Sequence, residues 1–511
     1  MSPASPGPDA RRFVDALLDP GSWQPWDGAP ADLAEVAGEY AAALARARQA
    51  TGLDEAVLTG EGRVTGHRVA VAAGEFGFLG GSIGVATAER LLAAVERATR
   101  ERLPFLAAPA SGGTRMQEGT LAFLQMVKIT DALTAHRAAG LPYLVYLRHP
   151  TTGGVLASWG SLGQVTLAQP GALIGFLGPR VYEALRGAPF PAGVQRAEHL
   201  HEHGLVDAVV PVEKLAPLVA RVLDIVAAPR PTDPPAPAPP HADVSEVPAW
   251  ESIRRSRRPD RPGVRDLLRE AGTEAGTEVV RLHGSQEGEA DAGLVLALAR
   301  FGAASCVVVG QDRTTQSGDR GLGRGALRVA RRGMRLAREL RLPLLTVIDT
   351  PGADLSRAAE EEGIASAIAH TMRDLVTLDA PTVAVLLGQG AGGGALALLP
   401  ADRVLCAQHA WLSPLPPEGA SAIVHGTVQH APQVAAAQGV RSIDLLRYGV
   451  VDRIVAELPD AADEPDAFAR RLGQAIADEL TRAVTADPAD RGAARRARYR
   501  DLGRDMLRAP G

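Results

Sequence analysis

Cysteine is almost missing from this 511-residue chain: there are two, Cys306 and Cys406, each inside an apolar, strand-like run. A four-Cys zinc site is arithmetically excluded, and a disulfide framework does not suit so long an intracellular chain. Two core thiols and no metal are expected. Long hydrophobic runs are also missing. No apolar stretch reaches the roughly 18 to 20 residues that a bilayer span needs, and Met1-Ser2-Pro3-Ala4-Ser5-Pro6 lacks the charged segment and apolar stretch of a secretory leader. The expectation is a soluble, cytoplasmic protein with no membrane partner. Positive charge is not in excess either, since 54 Lys plus Arg stand against 59 Asp plus Glu for a net charge of −5. Nothing in that balance suggests a nucleic-acid partner. What is present is globular: 46% hydrophobic residues, 22% charged residues and 55 glycines, at a length that predicts two to four domains.

Between Ala228 and Val247 the composition changes sharply, with Pro229, Pro231, Pro234, Pro235, Pro237, Pro239 and Pro240 among few apolar side chains. This predicts a stiff, extended linker. It divides the chain into two halves of similar length, which calls for a test for internal repetition. Leu103-Pro104 opens a strand that ends in Ala110-Ser111-Gly112-Gly113, and Leu342-Pro343 opens one that ends in Asp349-Thr350-Pro351-Gly352, a step of 239 from residue 103 to residue 342. Leu141-Pro142 opens a strand before Thr152-Gly153-Gly154, and Ala380-Pro381 opens one before Gly392-Gly393-Gly394, the same step from residue 142 to residue 381. His203-Gly204-Leu205-Val206-Asp207 and Tyr448-Gly449-Val450-Val451-Asp452 form a third matching pair, a few residues out of that step. Apolar residues at spacings of three and four predict helices over 120–139 and 364–378, each joining consecutive strands.

Strand, helix, strand at this spacing predicts parallel β-α-β units, hence an α/β fold of two tandem domains from an internal duplication. The expected organisation is an N-terminal helical extension over 1–60 with an Ala-rich helix at 31–50, a first half over 61–228, the linker over 229–246, a second half over 247–455, and a C-terminal helical extension over 456–511. Each half carries two glycine turns at the ends of successive buried strands. Such turns present backbone N–H groups with no side chain in the way. Two convergent donors make a site for an oxygen that becomes negative during reaction, and losing one donor typically costs about 100- to 1,000-fold in rate. The same glycines also serve tight turns and close helix–sheet packing.

Phe78-Leu79-Gly80-Gly81-Ser82-Ile83-Gly84, Ala110-Ser111-Gly112-Gly113-Thr114-Arg115-Met116-Gln117-Glu118-Gly119, Pro150-Thr151-Thr152-Gly153-Gly154-Val155 and Gln195-Arg196-Ala197-Glu198 resemble the β subunit of bacterial acetyl-CoA carboxylase carboxyltransferase. Trp250-Glu251-Ser252-Ile253, Asp349-Thr350-Pro351-Gly352-Ala353, Glu360-Glu361-Glu362-Gly363, Gly390 to Ala397 and Pro417-Glu418-Gly419-Ala420-Ser421 resemble its α subunit. The chain is thus similar to a fused β–α carboxyltransferase of the biotin-dependent acyl-CoA family. That resemblance implies a crotonase-like (ClpP/crotonase) β-β-α superhelix in each half. It also implies transfer of a carboxyl group from carrier-bound carboxybiotin to acetyl-CoA, giving malonyl-CoA through an enolate. Matched motif by motif, Gly153 and Gly154, with Gly112 and Gly113, would hold the thioester enolate. Gly393 and Gly394, with Gly352 and Ala353, would hold the biotin ureido oxygen. In the family biotin itself accepts the proton, and the site forms where a first half meets a second half, commonly of another subunit. The implied partners are the acyl-CoA, a biotin carboxyl carrier protein, a biotin carboxylase and further copies of this chain, as a homodimer or larger.

The chain departs from that pattern in four places: it has no four-Cys ribbon, it reads His283-Gly284-Ser285-Gln286 for His-Gly-Asp-Arg, it reads Gln311-Asp312-Arg313-Thr314-Thr315 for Lys-Gly-Arg-Asp-Thr, and its loop after Gly352 reads Ala353-Asp354-Leu355-Ser356 without Tyr-Pro-Gly. Propionyl-CoA or another acyl-CoA is the alternative substrate, biotin-dependent decarboxylation the alternative direction, and an inactive scaffold of a carboxylase complex the non-enzymatic alternative. Gly80-Gly81-Ser82-Ile83-Gly84 matches a nucleophile elbow, so a serine hydrolase using Ser82, with Asp207 and His283, is a rival class. Gly388-Gln389-Gly390-Ala391-Gly392-Gly393 matches the dinucleotide fingerprint. His199 and His203 would share a helix face. Arg324, Arg328, Arg331, Arg335 and Arg338 form a basic face, which is either plain solvated surface or attractive to CoA phosphates or an acidic carrier. Arg491, Arg495, Arg496, Arg498 and Arg500 are expected on a solvated helix.

Overall fold

The structure is a computed structural model that describes residues 9–26, 38–236, 239, 244–272, 278–316 and 321–504. Part of the helix expected over 31–50, part of the proline-rich linker and the last residues of the C-terminal extension lie outside the described residues. The chain folds as two compact units, the first of Met1–Leu223 with Gln286–Gly288 and the second of Asp224–Ser285 with Glu289–Gly511.

In the first unit, β2 (Val57–Val64) and β3 (His67–Gly74) pair antiparallel across a two-residue turn at Thr65 and Gly66. Both turn residues have positive φ, at 49° and 85°, as a turn matching the twist of a hairpin requires. From β3 onward the pairing is parallel, through β4 (Phe105–Ala108), β5 (Tyr143–Leu147), β7 (Val165–Ala168) and β9 (Ala208–Val209). β1 (Gln24–Pro25) closes the edge beside β2, and β6 (Thr151–Thr152) pairs with β8 (Ile174–Gly175) as a separate ladder. Every residue of β4 and β5 is buried, which is why these segments read as unbroken apolar runs, the pattern of a sheet covered on both faces. Helices Val85–Arg100 and Gly119–Ala138 make the crossovers on either side of β4.

The second unit repeats the plan. After β10 (Val279–Leu282), β11 (Leu294–Phe301) and β12 (Ala304–Gln311) form an antiparallel hairpin. Parallel pairing then runs through β13 (Leu344–Thr350), β14 (Thr382–Ala391), β15 (Arg403–Ala407) and β17 (Arg453–Val455), with β16 (Trp411–Ser413) beside the end of β14. Helices Arg324–Glu339 and Ile364–Val376 are its crossovers. Cys306 and Cys406 are buried in β12 and β15.

Helix Pro465–Thr485 lays Phe468, Leu472, Ile476 and Leu480 on the second sheet, every one of them buried. Burying each such side chain stabilises by about 1.5–3 kcal/mol. The arginine-rich segment that follows, helix Pro488–Asp501, corrects the expectation of a solvated helix. Arg491 and Arg495 are buried, donate to the carbonyls of Asp379 (2.9 Å) and Leu378 (2.8 Å), and both flank Asp402. Helix Ile364–Val376 ends with open carbonyl groups, as every helix does, and the guanidinium groups meet that end.

Candidate functional site

The glycine turns form at the carboxyl ends of β4 and β5 in the first unit and of β13 and β14 in the second. Gly113 has φ +114° and Gly153 φ +66°, and a Cβ on Gly153 would lie 3.2 Å from Gly113 Cα. The two turns therefore meet backbone to backbone, where a side chain would crowd the facing backbone and the positive φ favours glycine. In the second unit a Cβ on Gly394 would lie 3.3 Å from Ala353 N, a tight approach that glycine avoids.

The bonds that shape the two sites recur at the 239-residue step. Gly113 N–H donates to Ser111 Oγ (3.0 Å), and Gly352 N–H to Thr350 Oγ1 (3.1 Å). Ile83 N–H donates to Gly113 O (2.9 Å) and Ile83 O accepts from Arg115 N (2.9 Å). Likewise Leu322 N–H donates to Gly352 O (3.0 Å) and Leu322 O accepts from Asp354 N (3.1 Å).

Several N–H groups of the expected site residues are therefore engaged within the protein. Gly112 donates to Gly80 O (2.8 Å) and Gly153 to Phe176 O (3.0 Å), in addition to Gly113 and Gly352. Among the N–H groups that meet no acceptor among the described residues are those of Thr114 and Gly154 in the first unit and of Ala353 in the second, and Gly393 and Gly394 stand in the first turn of helix Gly392–Leu396, where N–H groups have no intrahelical partner. Thr114 was not singled out from the sequence. Its signal was the match to Ala353 at the common step. Ser111 and Thr350, a hydroxyl two residues ahead of each turn glycine, carried the same signal.

No carboxylate or imidazole among the described residues bonds to the N–H groups of these turns. The nearest charges serve as scaffolding. Arg115, fully buried, grips Glu55 at 2.5 Å and Ser82 O at 2.8 Å. Asp349 is fully buried at the end of β13, where its Oδ1 accepts from Gln389 N (2.9 Å) and Arg313 stands 3.5 Å away. Burial pushes its carboxyl above the usual carboxylate range, with Arg313 opposing.

The rival motifs resolve otherwise. Ser82 has ordinary extended backbone (φ −71°, ψ 140°), donates to Leu79 O (2.8 Å) and faces Arg115, with no imidazole bonded to it. That is not a nucleophile elbow, which holds its serine on a strained turn with a base at hand. Asp207 accepts from Thr166 N (2.8 Å). The dinucleotide fingerprint fails because Gly388 and Gly390 lie inside β14; a Cβ there would collide with Asp349 Oδ1 (2.5 Å) and Trp411 O (2.7 Å) respectively. His199 and His203 pack ring to ring at 4.2 Å, and among the described residues no three His, Cys, Asp or Glu side chains are placed to hold a metal. On the basic face Arg324 and Arg328 pair with Glu289 (3.2 and 2.9 Å) and Arg331 with Asp374 (2.6 Å). A cavity of about 240 Å³ lined by Arg230, Arg338 and Arg341 opens at the start of β12, β13 and β14, the ends away from the turns.

Comparison with known proteins gives a consistent result. The carboxyl transferase domain family matches residues 10–493. A Mycobacterium tuberculosis protein, "Probable biotin-dependent acyl-coenzyme A carboxylase beta3 subunit", is 61% identical over 489 residues, covering 96% of this chain and 97% of its own. A Salinispora arenicola protein, "Acetyl-coenzyme A carboxylase carboxyl transferase subunits beta/alpha", is 39% identical, covering 98% and 91%. Among solved structures, transcarboxylase 12S, a hexamer crystallised with methylmalonyl-coenzyme A, superposes with a TM-score of 0.71 at 23% identity, covering 91% of this chain and 89% of that one. At that identity the likeness is one of fold.

Proposed function

The chain belongs to the carboxyl transferase domain family, and on that premise we propose that it is a biotin-dependent acyl-CoA carboxyltransferase with acetyl-CoA as first substrate and malonyl-CoA as product. The observation that carries this is the pair of turns with uncommitted N–H groups and no acid or base bonded to them. Chemistry that creates an oxyanion on each of two reactants, and takes its base from one of them, needs such a site.

Thr114 and Gly154 are the donors to the thioester oxygen, while Gly113 and Gly153 give the turns their close approach. Ala353, Gly393 and Gly394 are the donors to the ureido oxygen, and the space that a Cβ on Gly394 would fill supports that fit. Carboxybiotin, when bound, would supply the carboxyl group as carbon dioxide by cleavage of its N–C bond, and the ureido nitrogen freed by that cleavage would take up the α-proton of the acyl group. The protein's own part is to fix both oxygens against preset N–H dipoles, at about 2.7–4 kcal/mol of barrier per donor. The repeated bonding of Ile83 with Gly113, and of Leu322 with Gly352, supports two crotonase-like domains from one duplication. A biotin carboxyl carrier protein, a biotin carboxylase and further copies of this chain are the partners of this reading.

The test is the reverse reaction. Protein is incubated with malonyl-CoA or methylmalonyl-CoA and free biotin or biocytin, and loss of the thioester carboxyl group is followed. Biotin-dependent loss, abolished in folded protein by Gly154→Pro and by Gly393→Pro, is expected. Malonyl-CoA is expected to be preferred, by the modest margin that one methyl group allows, about 1–3 kcal/mol. No turnover with either thioester, in folded protein that binds CoA, would overturn the assignment.

A further inference from the structure

Two backbone groups beside the second unit's turns are orphaned by local geometry. The register of β13 against β14 shifts between Ile348 and Thr350, and the pairing of β12 with β13 ends at Gly310 and Val347, so Asp349 N–H has no strand partner. Helix Gly392–Leu396 is only five residues long, and Leu398 N–H bonds to Ala395 O, so Gly394 O receives no helical bond. Gln311, the last residue of β12 and fully buried, meets both: its Nε2 donates to Gly394 O at 2.7 Å and its Oε1 accepts from Asp349 N–H at 3.0 Å. One carboxamide thus ties the strand leading to Gly352 and Ala353 to the helix that begins with Gly392, Gly393 and Gly394.

We propose that Gln311 is a positioning residue that sets the spacing of the second unit's two turns, and so the convergence of the Ala353, Gly393 and Gly394 N–H groups. This rests on the function proposed above. The side chain is well matched to the task. A carboxamide, like a protonated carboxylic acid, carries its donor and its acceptor on two separate atoms of one planar group, so it can bond an N–H and a carbonyl on different elements at once. A second amide works alongside it, as Gln316 Oε1 accepts from Thr350 Oγ1 (2.5 Å), the hydroxyl that holds Gly352 N–H. Gln311 opens the segment where the chain departs from the α subunit it resembles, and Gln316 directly follows that segment. The first unit has no counterpart, because one 239-residue step before Gln311 stands Ala72.

The experiment compares wild type with Gln311→Leu and Gln311→Glu. Amide hydrogen exchange in Gln311→Leu is expected to rise in peptides covering 344–356 and 388–398 and to stay unchanged in the β11–β12 hairpin. Its kcat in biotin-dependent decarboxylation is expected to fall about 10- to 100-fold, with KM for the thioester unmoved, since small misplacements at a reacting centre have that size of effect. Gln311→Glu is the sharper arm. Protonated, the glutamic acid makes both bonds; ionised, it sets negative charge against Gly394 O. Its kcat is expected to approach wild type at low pH and to fall as pH rises, with a titration that wild type lacks. Unchanged exchange in Gln311→Leu, or a Gln311→Glu profile parallel to wild type, would overturn the proposal. Wild type without biotin-dependent turnover overturns the function instead, and the exchange arm still decides the brace.

Discussion

A hydroxyl two positions ahead of each turn glycine accepts that glycine's N–H, Ser111 for Gly113 and Thr350 for Gly352. Removing it leaves the donor unpaired, which costs about 1–3 kcal/mol at buried Gly113 and less at half-buried Gly352, and frees the peptide that precedes an uncommitted N–H. Ser111→Ala and Thr350→Val are therefore expected to lower kcat about tenfold with little change in KM for the thioester, whereas Thr350→Ser keeps the bond and the rate. Steady-state kinetics beside thermal melts check this. At Gly113 the φ of +114° is one that L side chains rarely adopt, so Gly113→Ala is expected to destabilise by about 1–3 kcal/mol and to reduce activity further. These hydroxyls were visible in the sequence but unremarkable there, because serine and threonine ahead of glycine occur in any turn. Their meaning comes from the carbonyl and amide geometry around them.

Helix Gly119–Ala138 buries His136 against the start of β5, with Nδ1 2.9 Å from Thr99 Oγ1 and Nε2 3.3 Å from Pro142 O. Burial lowers its pKa to about 4, so the folded protein holds the imidazole neutral where the unfolded chain would bind a proton. Stability from this group is full above the unfolded value of about 6.5 and is lost as pH falls from there toward 4. His136→Gln is expected to flatten that limb, by about 3 kcal/mol at its lower end, in urea unfolding followed at pH 7 and pH 4.5. The crossover helices and the fully buried strands were legible because period and continuous apolarity are properties of the sequence itself. The arginine-rich helix Pro488–Asp501 was not, since charge reads locally as exposure. Only the finished fold places the carbonyls of Leu375, Leu378 and Asp379 in front of it. The glycines at 388 and 390 misled for a similar reason: they make room for Asp349 and Trp411, neighbours that no spacing reveals.

At the level of whole units, Arg261 and Glu457 form a fully buried ion pair at 2.5 Å, joining residues 196 apart in sequence. Arg261 also donates to Leu387 O (3.0 Å), while Glu457 accepts from the N–H groups of His409 and Ala461 (both 2.9 Å). Removing one partner strands a buried charge, so Arg261→Ala is expected to destabilise the second unit by about 3–5 kcal/mol. The double variant Arg261→Met with Glu457→Leu is expected to recover part of that loss. Urea unfolding with limited proteolysis, which reports the second unit separately, checks both. The α/β plan with parallel strands was readable because strand, helix and glycine turn follow one another in order; this pairing was not, because one isolated Arg and one isolated Glu carry no spacing. The C-terminal arginines have a consequence in time. Synthesis runs from the N-terminus, and the groups that close the carbonyls at Leu375, Leu378 and Asp379 leave the ribosome more than a hundred residues after those carbonyls do. The first unit's strands can pair while the chain is still being made, but the second waits, incompletely bonded, for helix Pro488–Asp501.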